Sequence, residues 1–66
     1  MAVTLNEIRE GSVVMVRGDF GRGVAVVGQV EEALEDIKNG MPGIDYSVKG
    51  VSHWAYLDAI DSVVRF

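Results

Sequence analysis

The chain has no cysteine and only one histidine, one proline and one tryptophan. Without cysteine there is no disulfide to staple a small fold and no thiolate metal site, and a single histidine excludes a histidine-rich one. No apolar run approaches the roughly 18–20 residues of a membrane-spanning helix. The N-terminus has no basic stretch leading into an apolar core, so no secretory leader is expected and the expected location is cytoplasmic. Cations are scarce: six Lys and Arg stand against ten Asp and Glu, for a formal net charge of −4. That balance gives no general footprint for a phosphate backbone, so DNA or RNA binding is disfavoured, a local basic patch aside.

What is present fits one domain over residues 1–66. A chain of this size buries only about 60% of the surface its unfolded form exposes. Its core rarely supplies more than about 3–5 kcal/mol. With neither disulfide nor thiolate metal site to help, association between copies is the remaining common remedy, and a homo-oligomer is expected. Hydrophobic residues make up 48% of the chain, and twelve of them are valine. β-Branched side chains lose rotamer freedom in helices and pack well on sheets, so the composition leans to β.

Leu5 and Ile8 can share one contact line on a short helical turn over residues 5–10, with Thr4 as its cap. Gly11 ends it. Residues 12–17 read as a strand, with Val14 and Val16 on one face and Val13, Met15 and Arg17 on the other. Gly18-Asp19-Phe20-Gly21-Arg22-Gly23 is a glycine-rich loop, and residues 24–30 read as a second strand. Gly28 marks a bulge or a close backbone approach there.

Residues 29–39 read two ways. Val30, Ala33, Leu34 and Ile37 follow helical spacing, with Glu31, Glu32, Glu35 and Asp36 on the polar side. The same stretch continues a strand and ends in Asn39-Gly40, the strongest short hairpin signal. The favoured expectation is a strand that runs out near Glu32, followed by a helical turn. Either Gly40 or Gly43 is expected at positive φ. Ile44, Tyr46 and Val48 then alternate with Asp45 and Ser47, and Lys49-Gly50 makes a turn. A strand over residues 51–57 puts Trp54 and Tyr56 on one face, with His53, Ala55 and Leu57 on the other. Residues 58–61 are a short connector with one 3₁₀ turn, and residues 62–66 close as a last strand.

Five short strands with glycine-rich connections fit a mostly β, small five-stranded barrel with at most one short helix or helical turn. From Gly11 onward the chain resembles SH3-like barrels. The carriers are a glycine before an apolar strand, a glycine-rich loop, a second strand, and a last strand after Leu57-Asp58-Ala59-Ile60. Asp36-Ile37-Lys38-Asn39-Gly40-Met41-Pro42-Gly43-Ile44-Asp45-Tyr46 and Trp54-Ala55-Tyr56-Leu57-Asp58 resemble segments of small bacterial and phage proteins of that build. The resemblance implies the fold, and a phage-type role only by association, because such barrels host many functions. The acidic run at residues 31–36 departs from the usual pattern. So does the lack of the aromatic array used by proline-peptide-binding SH3 domains, and that role is not implied.

No set of residues converges on a nucleophile, a base and an oxyanion donor, so an enzyme is not expected, nor is a cofactor. Asp58 and Asp61 can share a face for acid–base work, but capping a turn is their ordinary use. His53 can act as a base, with only its chain neighbour Ser52 beside it; a histidine on the barrel wall is the commoner case. The motif G-x-x-G-x-G at residues 18–23 can present backbone N–H groups to an anion, though such a loop more often simply connects strands. The acidic run is ordinarily a solvated face, and can also mimic nucleic-acid charge toward a basic partner. Trp54 and Tyr56 are either core or an exposed platform for a partner.

The expected function is a homo-oligomeric binding protein of phage type. It sequesters a small anionic, nucleotide-like molecule or blocks a host defence protein. Phe20, Tyr46, His53, Trp54 and Tyr56 supply stacking and hydrogen bonding, and Arg17, Arg22 and Lys49 supply positive charge. The alternative is an adaptor that binds a protein through its aromatic face. A nucleic-acid-associated barrel is opposed by the net charge.

Overall fold

The computed structural model describes residues 3–18 and 22–66. Five strands run in chain order: β1 (Val13–Arg17), β2 (Ala25–Lys38), β3 (Met41–Val48), β4 (Val51–Tyr56) and β5 (Ile60–Arg65). All pair antiparallel in one sheet of order β4-β3-β2-β1-β5. The mostly β, five-stranded fold read from the sequence is the fold observed. A straight 14-residue strand would span about 46 Å, yet the molecule measures 27 × 24 × 23 Å. The long β2 must therefore bend, and the sheet curls around its core. Among the described residues no ladder joins β4 to β5, so the sheet is curled rather than shown closed.

Two three-residue 3₁₀ turns complete the described structure, Leu5–Glu7 and Leu57–Ala59. The first is shorter than the turn expected over residues 5–10. The Glu7 carboxylate accepts from the Thr4 backbone N–H and from its hydroxyl, each at 3.1 Å. Ile8 is buried and Leu5 packs against the core beside it.

The stretch after Glu32 corrects the favoured expectation, because it is strand through Lys38 and not a helical turn. The ladder shows why the spacing misled. Val30 pairs with Tyr46 and Glu32 with Asp45, so Glu31 is an extra residue on β2. A bulge turns a period of two into a step of three, and the core-facing positions become Val30 and Ala33. A second irregularity lies between the pairs Leu34 with Gly43 and Lys38 with Met41. Pairing with β3 satisfies backbone groups that a helix would satisfy internally. Asn39 (φ 56°) and Gly40 (φ 74°) close the hairpin in the left-handed region, as a type I′ turn requires. The Gly40 N–H donates to Asp36 Oδ1 at 2.9 Å.

Of the two glycines considered for positive φ, Gly40 has it and Gly43 does not. Gly43 is needed for close approach instead: a Cβ there would meet the Ala55 carbonyl oxygen and the Ile37 side chain. Pro42 lies in the irregular part of the β2–β3 ladder, ahead of the first β3–β4 pair, where a missing N–H breaks no regular bond. Gly28 also serves a close approach, since a Cβ there would stand 2.7 Å from Tyr46 Cδ2. The Tyr46 ring thus covers the strand where Gly28 leaves room.

Val14 and Val16, which share a face of β1, are fully buried and meet Val30, Ile44, Tyr46, Ala55, Leu57 and Ile60 in the core. Ser12 is the one buried polar residue among those described. Its hydroxyl accepts from the Arg9 N–H and donates to the Phe66 carbonyl, both at 2.9 Å. Lys49 (φ 51°) and Gly50 (φ 83°) form the second left-handed pair and turn β3 into β4.

Candidate binding groove along the fourth strand

The Lys49-Gly50 turn sets the register of β4. Tyr46 pairs with His53, Asp45 with Trp54, Ile44 with Ala55 and Gly43 with Tyr56. Because Ile44 is fully buried, its partner Ala55 faces inward and the flanking Trp54 and Tyr56 face outward. Trp54 keeps 38% exposure, and Ala55 and Leu57 are buried. The two outward rings, two residues apart on one face, meet edge to face at 89° with centroids 5.1 Å apart. Across the strand from them the buried Tyr46 ring and the exposed His53 ring lie 5.5 Å apart and 31° from parallel. Burial raises the Tyr46 phenol pKa above its ordinary value.

A groove of about 450 Å³ follows this strand, within the range of small-ligand sites, about 300–1,000 Å³. Five consecutive residues of β4, numbers 52–56, line it. Their side chains alternate across the sheet, so the groove borders the strand's edge rather than one face. Arg17 and Gly18 at the end of β1, Tyr46 of β3, and Asp58 and Ala59 in the second turn complete the lining.

Five of the eight residues singled out in the sequence therefore share one groove: Arg17, Tyr46, His53, Trp54 and Tyr56. Arg22 and Lys49 are exposed and are not among its described lining residues. Lys49 belongs to the turn at the start of β4. Phe20 lies outside the described residues, as do residues 19 and 21 of the glycine-rich loop. Its two described ends are joined by a hydrogen bond from the Gly23 N–H to Gly18 O at 2.9 Å.

The charges are distributed against a free cationic site. Arg17 Nε stands 2.9 Å from Asp61 Oδ2, and its Nη1 donates to Gly23 O at 3.3 Å. Asp58 lines the groove and has no ion pair among the described residues. The two aspartates considered as an acid–base pair are thus used apart. Ser52 and His53 point to opposite faces of β4, and the Ser52 hydroxyl donates to Glu31 Oε1 at 3.0 Å, so they do not act as a nucleophile and base.

One arrangement escaped the sequence reading. The tip of the β2–β3 hairpin reaches the outward aromatic pair. Lys38 Nζ lies 5.1 Å from the Trp54 ring centroid. Asn39 Nδ2 donates to the Tyr56 hydroxyl at 3.4 Å. A β2 read as helical beyond Glu32 gave no reason to place Lys38 there.

No protein-family model, no curated protein and no solved structure matches the chain.

Proposed function

We propose that this chain is a non-catalytic binding module that holds a segment of a partner protein in the groove along β4. The observation that carries the reading is the composition of that groove. Aromatic rings flank one strand edge on both sides, while Arg17 is already held by Asp61 and Asp58 has no counter-ion among the described residues. Aromatic side chains bury large area at low entropic cost and dominate recognition energetics. An unpartnered carboxylate disfavours a multiply charged anion.

The SH3-like, phage-type resemblance gives this reading a setting: blocking a host defence protein in the cytoplasm is protein binding of this kind. Self-association belongs to the same proposal. Val27 on β2 is 56% exposed and Val64 on β5 is 59% exposed. Apolar area left in water supports an oligomer.

The nucleotide-sequestering reading keeps one specific support. The Arg17 side chain is 45% exposed at the rim of a groove whose rings can stack a base. Native mass spectrometry of freshly purified protein separates the two readings, with calorimetric titration against mono-, di- and cyclic nucleotides. Retained polypeptide that is lost in Trp54→Ala, and no heat with any nucleotide, is the expected result. A retained nucleotide mass, or nucleotide binding lost in Trp54→Ala, would overturn the protein-segment reading.

A further inference from the structure

We propose that the Trp54–Tyr56 corner is a cation-binding site, that Lys38 is its built-in occupant, and that a partner segment docks by replacing the Lys38 ammonium with a cationic side chain of its own. This rests on the protein-segment reading of the groove and names the chemistry of the segment.

Tryptophan is the best aromatic acceptor for a cation, and here one already lies 5.1 Å from its ring centroid. The Tyr56 ring stands perpendicular to that of Trp54, so the pair forms a two-walled corner. Its surroundings are acidic. Asp45 is the direct cross-strand partner of Trp54, and Asp58 lines the same groove. Negative charge on a neighbouring strand position and in the groove favours a cation over an anion there.

Lys38 is a weakly held occupant. It has no ion pair among the described residues, so leaving the ring breaks no salt bridge. The hairpin tip that carries it follows the second ladder irregularity, between Leu34 and Lys38. The tip's other contact with the pair, Asn39 to Tyr56 at 3.4 Å, is at the long limit for a hydrogen bond. A guanidinium stacks on a ring better than a compact ammonium does, so an arginine-bearing segment is the stronger competitor.

The test uses the whole chain, whose single tryptophan makes the indole N–H signal unambiguous. Three probes are titrated by NMR: Nα-acetyl-arginine amide, the neutral Nα-acetyl-glutamine amide, and adenosine monophosphate. The arginine probe should shift the Trp54 indole signal saturably. It should also return the Lys38 ε-methylene protons from their ring-shifted position toward that of a free lysine. Lys38→Gln should tighten arginine binding about two- to fivefold, the factor set by one exposed cation–π contact, and Asp58→Asn should weaken it. A Lys38 that merely covers Trp54 predicts neither the methylene shift nor the tightening. Equal binding of the glutamine probe, or unchanged Lys38 signals at arginine saturation, overturns the cation site and leaves the groove reading standing. Adenosine monophosphate moving the indole signal where arginine does not overturns the cation site in favour of the nucleotide reading. If no probe moves Trp54, the cation site is overturned, and the groove reading rests on retention of polypeptide in native mass spectrometry.

Discussion

Gly43→Ala should destabilise the fold through contact alone. A Cβ on Gly43 would meet the Ala55 carbonyl oxygen of β4 and the Ile37 side chain, whose own Cβ would lie 2.9 Å away. The φ of Gly43 is not in the left-handed region, so alanine brings no backbone strain of its own. Overpacking of this kind costs about 1–3 kcal/mol. The carbonyl is fixed in a strand and cannot turn aside as a side chain can, which places the expected loss at about 2–3 kcal/mol. In a domain of this size each kcal/mol moves Tm by about 4–8 °C. The loss is also a large share of the roughly 3–5 kcal/mol that such a core supplies.

Urea unfolding followed by Trp54 fluorescence reads the change. Ile37→Ala in the Gly43→Ala background tests the side-chain share of the obstacle, since it removes the Ile37 Cγ2 methyl and leaves the Ile37 Cβ and the carbonyl. The double-mutant cycle should show coupling of about 0.5–3 kcal/mol between positions 37 and 43. Gly40→Ala is the contrast. Nothing lies within 4 Å of its Cβ position, and its φ is +74°. Its loss of about 1–2 kcal/mol would come from the left-handed backbone, with no coupling to Ile37. A Gly43→Ala variant that unfolds at the parent's urea concentration, or one that couples to Ile37 no more than Gly40→Ala does, would refute the steric argument.

Three further outcomes are expected. The raised pKa of Tyr46 means that the folded state holds the phenolic proton more tightly than the unfolded chain. Stability from this source is full below the unfolded value of about 10 and falls as pH rises toward the folded value. Tyr46→Phe should flatten that alkaline decline in pH-dependent unfolding, and an unchanged decline would assign it elsewhere. Asp61→Asn should cost about 0–1 kcal/mol at low salt and less at high salt, because both partners of the Arg17 pair are exposed and screened; a cost that grows with salt would contradict this. Sedimentation equilibrium at micromolar concentration should show a species above the monomer mass, and a clean monomer at all concentrations would remove self-association from the proposed function.

Much of the fold was legible because local chemistry and global packing agree at particular residues. Val14 and Val16 alternate with Val13 and Met15, and the alternation divided the strand into the two faces that the burial pattern follows. Asn39-Gly40 and Lys49-Gly50 are turns that few other residue pairs form, and both adopt the left-handed geometry such turns need. Residues 33–38 were not legible in the same way. A bulge at Glu31 reproduces the spacing of a helix, and nothing within β2 distinguishes a strand with an extra residue from a helical turn. What decides it is the pairing with β3, a contact between segments.

The groove follows the same division. That Trp54 and Tyr56 share a face is a property of β4 alone, and it was read correctly. That Tyr46 and His53 lie together depends on a two-residue turn, whose length fixes the register. Lys38 over Trp54 depends on more. It needs β2 to remain a strand, to gain a residue at Glu31, and to lose regular pairing again between Leu34 and Lys38. Removing an irregularity would reset the register of the tip, and a one-residue change sends a side chain to the opposite face. The charge presented to the aromatic corner therefore depends on ladder irregularities on a neighbouring strand, and a substitution near Asp36 can change it without touching a residue that lines the groove.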